Sequence, residues 1–496
     1  MSNLQVSCAF LLLFFVISCS SDPIAEEDDT PVPVVGAIRE PLVNRDLDAI
    51  KKDGKLTAIT VYNSTSYFLY RGKPMGFEFE LLSRLAKDLG LEMEIVIAEN
   101  SDALFDMLNK GEGDIIAHGL TITQARQEIV DFTDYHYVTH QALVQRKPKN
   151  WRQLPGYKVQ RQLISTPLDL IDDTVHVRWN SSYYERLQNL SREIGGSIYV
   201  DTVPGNTTTE DIIKMVVDGE IDYTIADYNI AAINQTYYPI LDIETPISLS
   251  QRIAWAVRKN SPELLEAVNQ WIKKVRKQDF YYVIYNKYFK NKKSYRRRIK
   301  SDFFSKNGGK ISRYDDIIRE HSKSLGWDWR LVSSLVYQES RFDPGVTSWT
   351  GAGGLMQLMP STAEDLGLYN PANPDANIRA GTAYLHELWE KWSDIKDSIQ
   401  RIKFTMASYN CGYGHVKDAQ RLTESFEEDP LVWDDNVEDY LLKLSSREYF
   451  TMPEVDYGFV RGREPYLYVK EIFLRYEHYC KFIPHDPKKG NTEASI

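Results

Sequence analysis

Cysteine and histidine are scarce in this chain of 496 residues, and positive charge is outweighed. Four cysteines are too few to staple a fold of this length, which must rest on hydrophobic cores instead. The nine histidines are scattered, with no cysteine or carboxylate cluster at metal-ligand spacing, so no metal and no other cofactor is expected. A formal net charge of −11 excludes the basic face that nucleic-acid binding requires. After residue 17 no stretch approaches the roughly 20 apolar residues of a membrane helix.

The apolar run AFLLLFFVI, residues 9–17, is too short to span a bilayer and is followed at once by SCSSD, as in a secretory signal. The residues VISC ending at Cys19 resemble the lipobox of bacterial lipoproteins. That resemblance implies removal of residues 1–18 and a lipid on Cys19, hence a tether to the cell envelope, at the outer membrane facing the periplasm. A plain signal with an incidental cysteine is the alternative. With Cys8 inside the signal, Cys411 and Cys480 remain, and their pairing is open.

Composition divides the rest. Residues 19–46 are acidic and proline-containing, as a solvated tether is. Residues 291–310, NKKSYRRRIKSDFFSKNGGK, are basic and end near Gly-Gly, which marks a linker between domains at 47–290 and 311–485, with 486–496 as a C-terminal tail. In the first domain, β-rich runs such as KLTAITVYN, EMEIVIA and DTVHVRW alternate with helical patterns such as FEFELLSRLAKDLG. This predicts an α/β fold with parallel-type sheets. GEGDIIAHG at 111–119 and GEIDYTIAD at 219–227 echo each other, which suggests two similar lobes. After residue 311 helical periods dominate: Asp328 is an expected N-cap, Ser361 with Glu364 an expected capping box, and Gly367 a stop. Ile378, Thr382, Leu385 and Trp389 form a core stripe.

The segments GKPMGFEFELLSRLAKDLG and LTITQARQEIVDFTDYHY resemble the family 3 extracellular solute-binding proteins, two-lobed clamshells for amino acids and small peptides. A guanidinium offers two parallel donors that fit a carboxylate. The resemblance gives Arg126 that role, with the Thr121 hydroxyl in support. It gives Asp227 the ligand ammonium, and Ser181 and Ser182 a helix start whose N–H groups favour an anion. Structural pairing of Arg126 with Asp131 or Glu128 is the alternative. The implied ligand is a muropeptide or an amino acid.

In VYQESRFDPG, residues 336–345, Glu339 continues the apolar stripe Leu331, Val332, Leu335, Val336 and is expected to face inward. Burial there raises a carboxyl pKa and keeps a proton near neutrality, as a general acid requires. A helix-end Glu paired with Arg341 is the alternative on periodicity alone. The neighbours ESRFDPGVTSWTGAGGLMQLMPSTAEDLGL, NPDANIRAGTAYLHEL, TMASYNCGYGHV and EPYLYVKEI resemble, in order, the family 1 lytic transglycosylases, which share the goose-type lysozyme fold. The resemblance implies Glu339 as sole catalytic acid, Ser340 beside it, and Met356, Gln357, Tyr409, Asn410 and Tyr468 around a saccharide groove. SYNCG departs from the common pattern through Cys411, to which no chemistry is assigned.

Ordinary glycosidases need two carboxylates, about 5 Å apart or roughly 6.5–9.5 Å apart. Asp343 precedes Pro344, which disfavours helical geometry, so it reads as a helix stop. The resemblances imply as partners peptidoglycan glycan strands, a clamshell ligand and a membrane reached through lipid. They imply as reaction the cleavage of the MurNAc–GlcNAc β-1,4 bond with a 1,6-anhydro end, regulated by the ligand-sensing half. A hydrolytic muramidase, and a wall-peptide-binding lipoprotein with an inactive enzyme domain, are the rivals.

Overall fold

A computed structural model describes residues 38–203, 207–305 and 309–485. The signal, Cys19, most of the tether and the tail 486–496 lie outside the described residues.

Two sheets follow from the β-rich runs. The first sets Glu92–Ala98, Lys55–Val61 and Ile115–Thr121 side by side in parallel, with Ile59 opposite both Val96 and Ile116. Gln251–Val257 joins antiparallel and carries the short strands Asp131–Phe132 and Tyr137–Thr139 on its other edge. In the second sheet Tyr199–Val203, Thr174–Arg178 and Tyr223–Asp227 are parallel, and Gln141–Arg146 is antiparallel. The expected parallel sheets are thus mixed. The reason is connectivity: the chain crosses to the second lobe directly through His140, between Tyr137–Thr139 and Gln141–Arg146, and returns to the first along Gln251–Val257. The sequence echo is real in place, because Gly111 and Gly219 both end helices in the left-handed conformation just before equivalent strands.

The last nine residues of the expected tether do not stand off in solvent. The Leu42 amide donates to the Asn109 carbonyl at 2.7 Å and the Arg45 guanidinium to Asp114 at 2.8 Å, which seals the first lobe. The basic stretch is not a plain linker either. It forms the helix Lys292–Ile299, in which Lys292, Lys293, Arg296 and Arg297 are exposed while Tyr295 and Ile299 join the clamshell core.

The second half is helical around Leu331, Val332, Leu335, Ile378, Leu385, Trp392, Phe404 and Ile472. Asp328 caps the helix Trp329–Ser340 as expected, accepting from the Arg330 amide at 2.8 Å. The Ser361 capping box does not form: Pro360, whose ring fixes φ for a first helical position, starts Pro360–Asp365 one residue earlier, and Ser361 lies inside. Gly367 (φ 65°) follows its end as the stop.

The halves share a seam. The hairpin Phe68–Tyr70 with Lys73–Met75 reaches out of the first lobe, and Leu69 is buried in the helical core. Its edge is extended by the segment after the basic helix, through Arg71 N–H to the Phe303 carbonyl (3.0 Å) and Ser305 N–H to Leu69 (3.1 Å). From the helical side, the C-terminal helix Arg463–Phe482 donates from the Tyr479 hydroxyl to the Gly72 carbonyl at 2.9 Å.

Candidate functional site

The helix Trp329–Ser340 buries one face and ends abruptly. Arg341 and Phe342 both take left-handed φ values, 52° and 63°, which non-glycine residues adopt only when their surroundings hold them there. Glu339, one residue from the end, is half-buried. The Tyr468 hydroxyl, from the C-terminal helix, donates to Glu339 Oε1 at 2.5 Å. Burial raises the Glu339 carboxyl to about 7, against the opposing pull of that hydrogen bond. The pairing with Arg341 is not seen, as among the described residues Glu339 makes no ion pair. Asp343 lies past the turn, where its Oδ1 accepts from the Gly345 amide at 3.0 Å, so it is off the helix face that carries Glu339.

A loop lies against the acid. Ser340 Oγ donates to the Leu355 carbonyl at 2.7 Å, and Met356 is fully buried with its amide bonded to Asn377 Oδ1 at 2.8 Å. The Met356 carbonyl accepts from the Tyr409 hydroxyl at 2.7 Å. Gln357, at φ 47°, ties its own loop through Nε2 to the carbonyls of Val346 and Gly354. The glycines here serve close packing. A Cβ on Gly354 would lie 2.1 Å from the Pro371 carbonyl oxygen and 2.2 Å from Asn377 Nδ2. Asn410 is half-buried, and its side-chain amide has no hydrogen-bond partner among the described residues. Cys411 and Cys480 are both free thiols, and burial pushes the Cys411 thiol up to about 12, which makes it unreactive.

The second site is a cavity of about 580 Å³ between the lobes. Arg126, Thr121, Asp227, Ser181 and Ser182 all line it. Arg126 is buried, with Nη1 donating to the Thr121 carbonyl at 3.0 Å, and neither Asp131 nor Glu128 pairs with it; Glu128 faces Arg39 instead. Asp227 is buried, one of its oxygens has no partner, and desolvation raises its carboxyl to about 7 even with Arg126 nearby. The Ser181 hydroxyl is engaged in capping the helix Ser182–Ile194. Ser182 Oγ faces Thr121 Oγ1 across the cleft at 3.5 Å. Further bonds cross between lobes, Arg178 Nη1 to Ser101 Oγ (2.9 Å) and Ser64 Oγ to Glu210 (2.8 Å), so the clamshell is closed over the cavity. Of the aromatics that sequence left undecided, Tyr67 and Phe77 are core and Tyr62 lines the cavity.

Sequence reasoning missed Arg178, Asn377 and Glu78. Arg178 ends a strand of an α/β sheet, the position where ligands gather, and this was a usable signal. Asn377 lies beside the core stripe that begins at Ile378, and no local pattern marks it. Glu78, buried in the cavity lining with the Trp255 indole donating to it at 2.6 Å and its carboxyl raised to about 7 by burial, carries no signal in the helical pattern FEFELLSRLAKDLG. Among the described residues no cluster of His, Cys, Asp or Glu could hold a metal, and no helix is long and apolar enough to cross a membrane.

Residues 58–291 match the bacterial extracellular solute-binding proteins, family 3, and residues 316–432 match the transglycosylase SLT domain. A protein of Desulfosudis oleivorans called membrane-bound lytic murein transglycosylase F is 35% identical over 428 residues, 86% of this chain and 90% of that protein. One of the same description from Pseudomonas fluorescens is 31% identical over 451 residues, 90% of this chain and 89% of that protein. Among solved structures, an ancestral amino acid-binding protein, a precursor of cyclohexadienyl dehydratase, is similar at 27% identity and a TM-score of 0.41, covering 49% of this chain and 98% of that one.

Proposed function

Since the chain belongs to the membrane-bound lytic murein transglycosylase F family, we propose that it is a peptidoglycan lytic transglycosylase in which Glu339 acts alone as acid and then base. The observation that carries this reading is the half-buried Glu339, raised to about 7 and held by Tyr468, with Asp343 turned away.

A carboxyl poised near neutrality can give a proton and take one back in the same turnover. Glu339 protonates the oxygen of the MurNAc–GlcNAc β-1,4 bond, and the 2-acetamido carbonyl oxygen of MurNAc closes on C1 as that bond breaks. The resulting Glu339 carboxylate then takes the proton of the MurNAc 6-hydroxyl. O6 displaces the acetamido oxygen from C1, which leaves a 1,6-anhydro end and a free GlcNAc 4-hydroxyl. No water is consumed. Tyr468 fixes the carboxyl, and the loop carrying Met356 and Gln357, held by Ser340 and Tyr409 from the neighbouring helices, shapes with the Asn410 amide the groove that seats the sugars. Replacing Glu339 by Gln while leaving Tyr468 intact tests the assignment: purified sacculi must then yield no anhydro ends above background.

The clamshell is read as a sensor for a muropeptide or amino acid, with an ammonium at Asp227 and a carboxylate at Arg126 supported by Thr121, Ser182 and the helix start at Ser181. Its link to the enzyme is physical. The helix Arg463–Phe482 carries Tyr468 near one end and reaches the cavity at the other, about 21 Å away at 1.5 Å per residue. A ligand that binds the open and closed clamshell unequally therefore biases the helix that holds the acid. Absence of any change in the rate of wall cleavage on saturating the cavity would refute this coupling. As a membrane-associated protein of the envelope, the chain is held by lipid on Cys19 at the outer membrane. Loss of membrane association in Cys19→Ala is the expected outcome, read by fractionation.

A further inference from the structure

The interlobe cavity is not enclosed by the clamshell alone. Lys481 and Phe482, at the end of the C-terminal helix, lie in its lining together with Tyr62, Arg126, Arg178 and Asp227. The Phe482 ring is stacked on Tyr62, with centroids 3.5 Å apart and planes at 12°. The turn before it is fixed twice more against the first lobe, by the Tyr479 hydroxyl on the Gly72 carbonyl (2.9 Å) and by a 2.7 Å hydrogen bond between the Tyr67 hydroxyl and His478 Nδ1. Three such contacts hold this helix end as a wall.

The wall carries charge toward a site that has unmatched polar atoms. One Asp227 oxygen and Arg178 Nε are buried without partners, so the second lobe presents an acceptor and a donor to whatever fills the cavity. Arg126 adds a buried guanidinium. Lys481 stands at the mouth, exposed and in no ion pair among the described residues; partial desolvation lowers its pKa, against the opposing charge of Glu477, one turn back on its own helix. At about 580 Å³ the space exceeds what one free amino acid fills and falls within the roughly 300–1,000 Å³ of pockets for larger ligands.

We propose that the ligand site is shared by the two halves of the chain. Lys481 and Phe482 form its outer wall, and it takes a short acidic peptide with its amino group at Asp227, one carboxylate at Arg126 and Arg178, and a second carboxylate at Lys481. The proposal rests on the reading of the clamshell as a peptide sensor. It adds that the catalytic half itself touches the ligand and reads its second charge.

Calorimetry on the full chain in detergent, with the dipeptides Ala-Glu and Ala-Gln as probes, tests it. These two differ only in the side-chain carboxylate. The unaltered chain binds Ala-Glu about tenfold more tightly than Ala-Gln, Lys481→Met brings the two within about twofold, and Lys481→Arg restores the preference. Phe482→Ala weakens both dipeptides alike. Lys481 is exposed, so its substitution leaves the unfolding temperature unchanged and the comparison clean. Binding that Arg126→Gln abolishes but whose Ala-Glu preference survives Lys481→Met would assign the site to the clamshell alone. No Arg126-dependent heat from either dipeptide would overturn the sensor reading, and the shared site with it.

Discussion

The proton on Glu339 is held by burial and its release is favoured by the Tyr468 hydrogen bond, and both effects can be read separately. An unfolded Glu titrates near about 4.3, whereas Glu339 in the fold titrates at about 7. Between those values the folded chain binds more protons than the unfolded one. Stability therefore falls as pH rises through this window, and the loss is complete above about 7. Glu339→Gln removes the group that causes it. The variant should match the parent in stability near pH 4, exceed it by about 1–2 kcal/mol at pH 8 once partial exposure is allowed for, and lose activity by about 10²–10⁴-fold, as thermal unfolding and turnover assays would show. Tyr468→Phe acts in the other direction on the same proton. The hydroxyl favours the ionised carboxylate, so its loss raises the Glu339 pKa and shifts the alkaline limb of kcat/KM to higher pH. At the second site, an ammonium can be held only by ionised Asp227, which desolvation leaves partly protonated near pH 7 when the cavity is empty. Ligand affinity should drop by up to about tenfold per pH unit below about 7, and titrations at pH 5 and 8 measure it.

At the scale of elements, the structure shows which sequence signals carry through. The stripe Leu331, Val332, Leu335, Val336 and the cap at Asp328 gave the acid helix, because period and cap are local properties. The capping box at Ser361 failed since Pro360 is a stronger start signal than the Ser-Glu pair after it. Glycine at 354 serves close contact between backbone and Asn377, a partner more than 20 residues later that no local pattern announces. Gly354→Ala is accordingly expected to cost several kcal/mol, since φ 83° and a Cβ about 2 Å from two heavy atoms leave nowhere for the methyl to go; thermal melts would show it. By contrast, Glu92→Gln across the seam from Lys470 should change stability by less than about 1 kcal/mol, because that ion pair is solvent-exposed.

Across the whole molecule, the seam was the part the sequence concealed. Leu69, which no sequence pattern singles out, lies in the helical core; residues 291–310 read as a linker and partly pack with the clamshell; residues 38–46 read as tether and lie bonded on the first lobe. Each reflects long-range pairing, which composition and periodicity do not encode. The sequence did single out residues that the fold places together: Arg126 and Asp227 line one cavity, and Tyr468 bonds Glu339; the chemistry they carry is what we propose. The central claim is that one carboxyl completes a cleavage without water. Mass spectrometry of the fragments released from purified sacculi tests it most directly. The account predicts ends one water lighter than a hydrolysed sugar, appearing with the intact chain and vanishing in Glu339→Gln; ends at the full hydrolysed mass would contradict it.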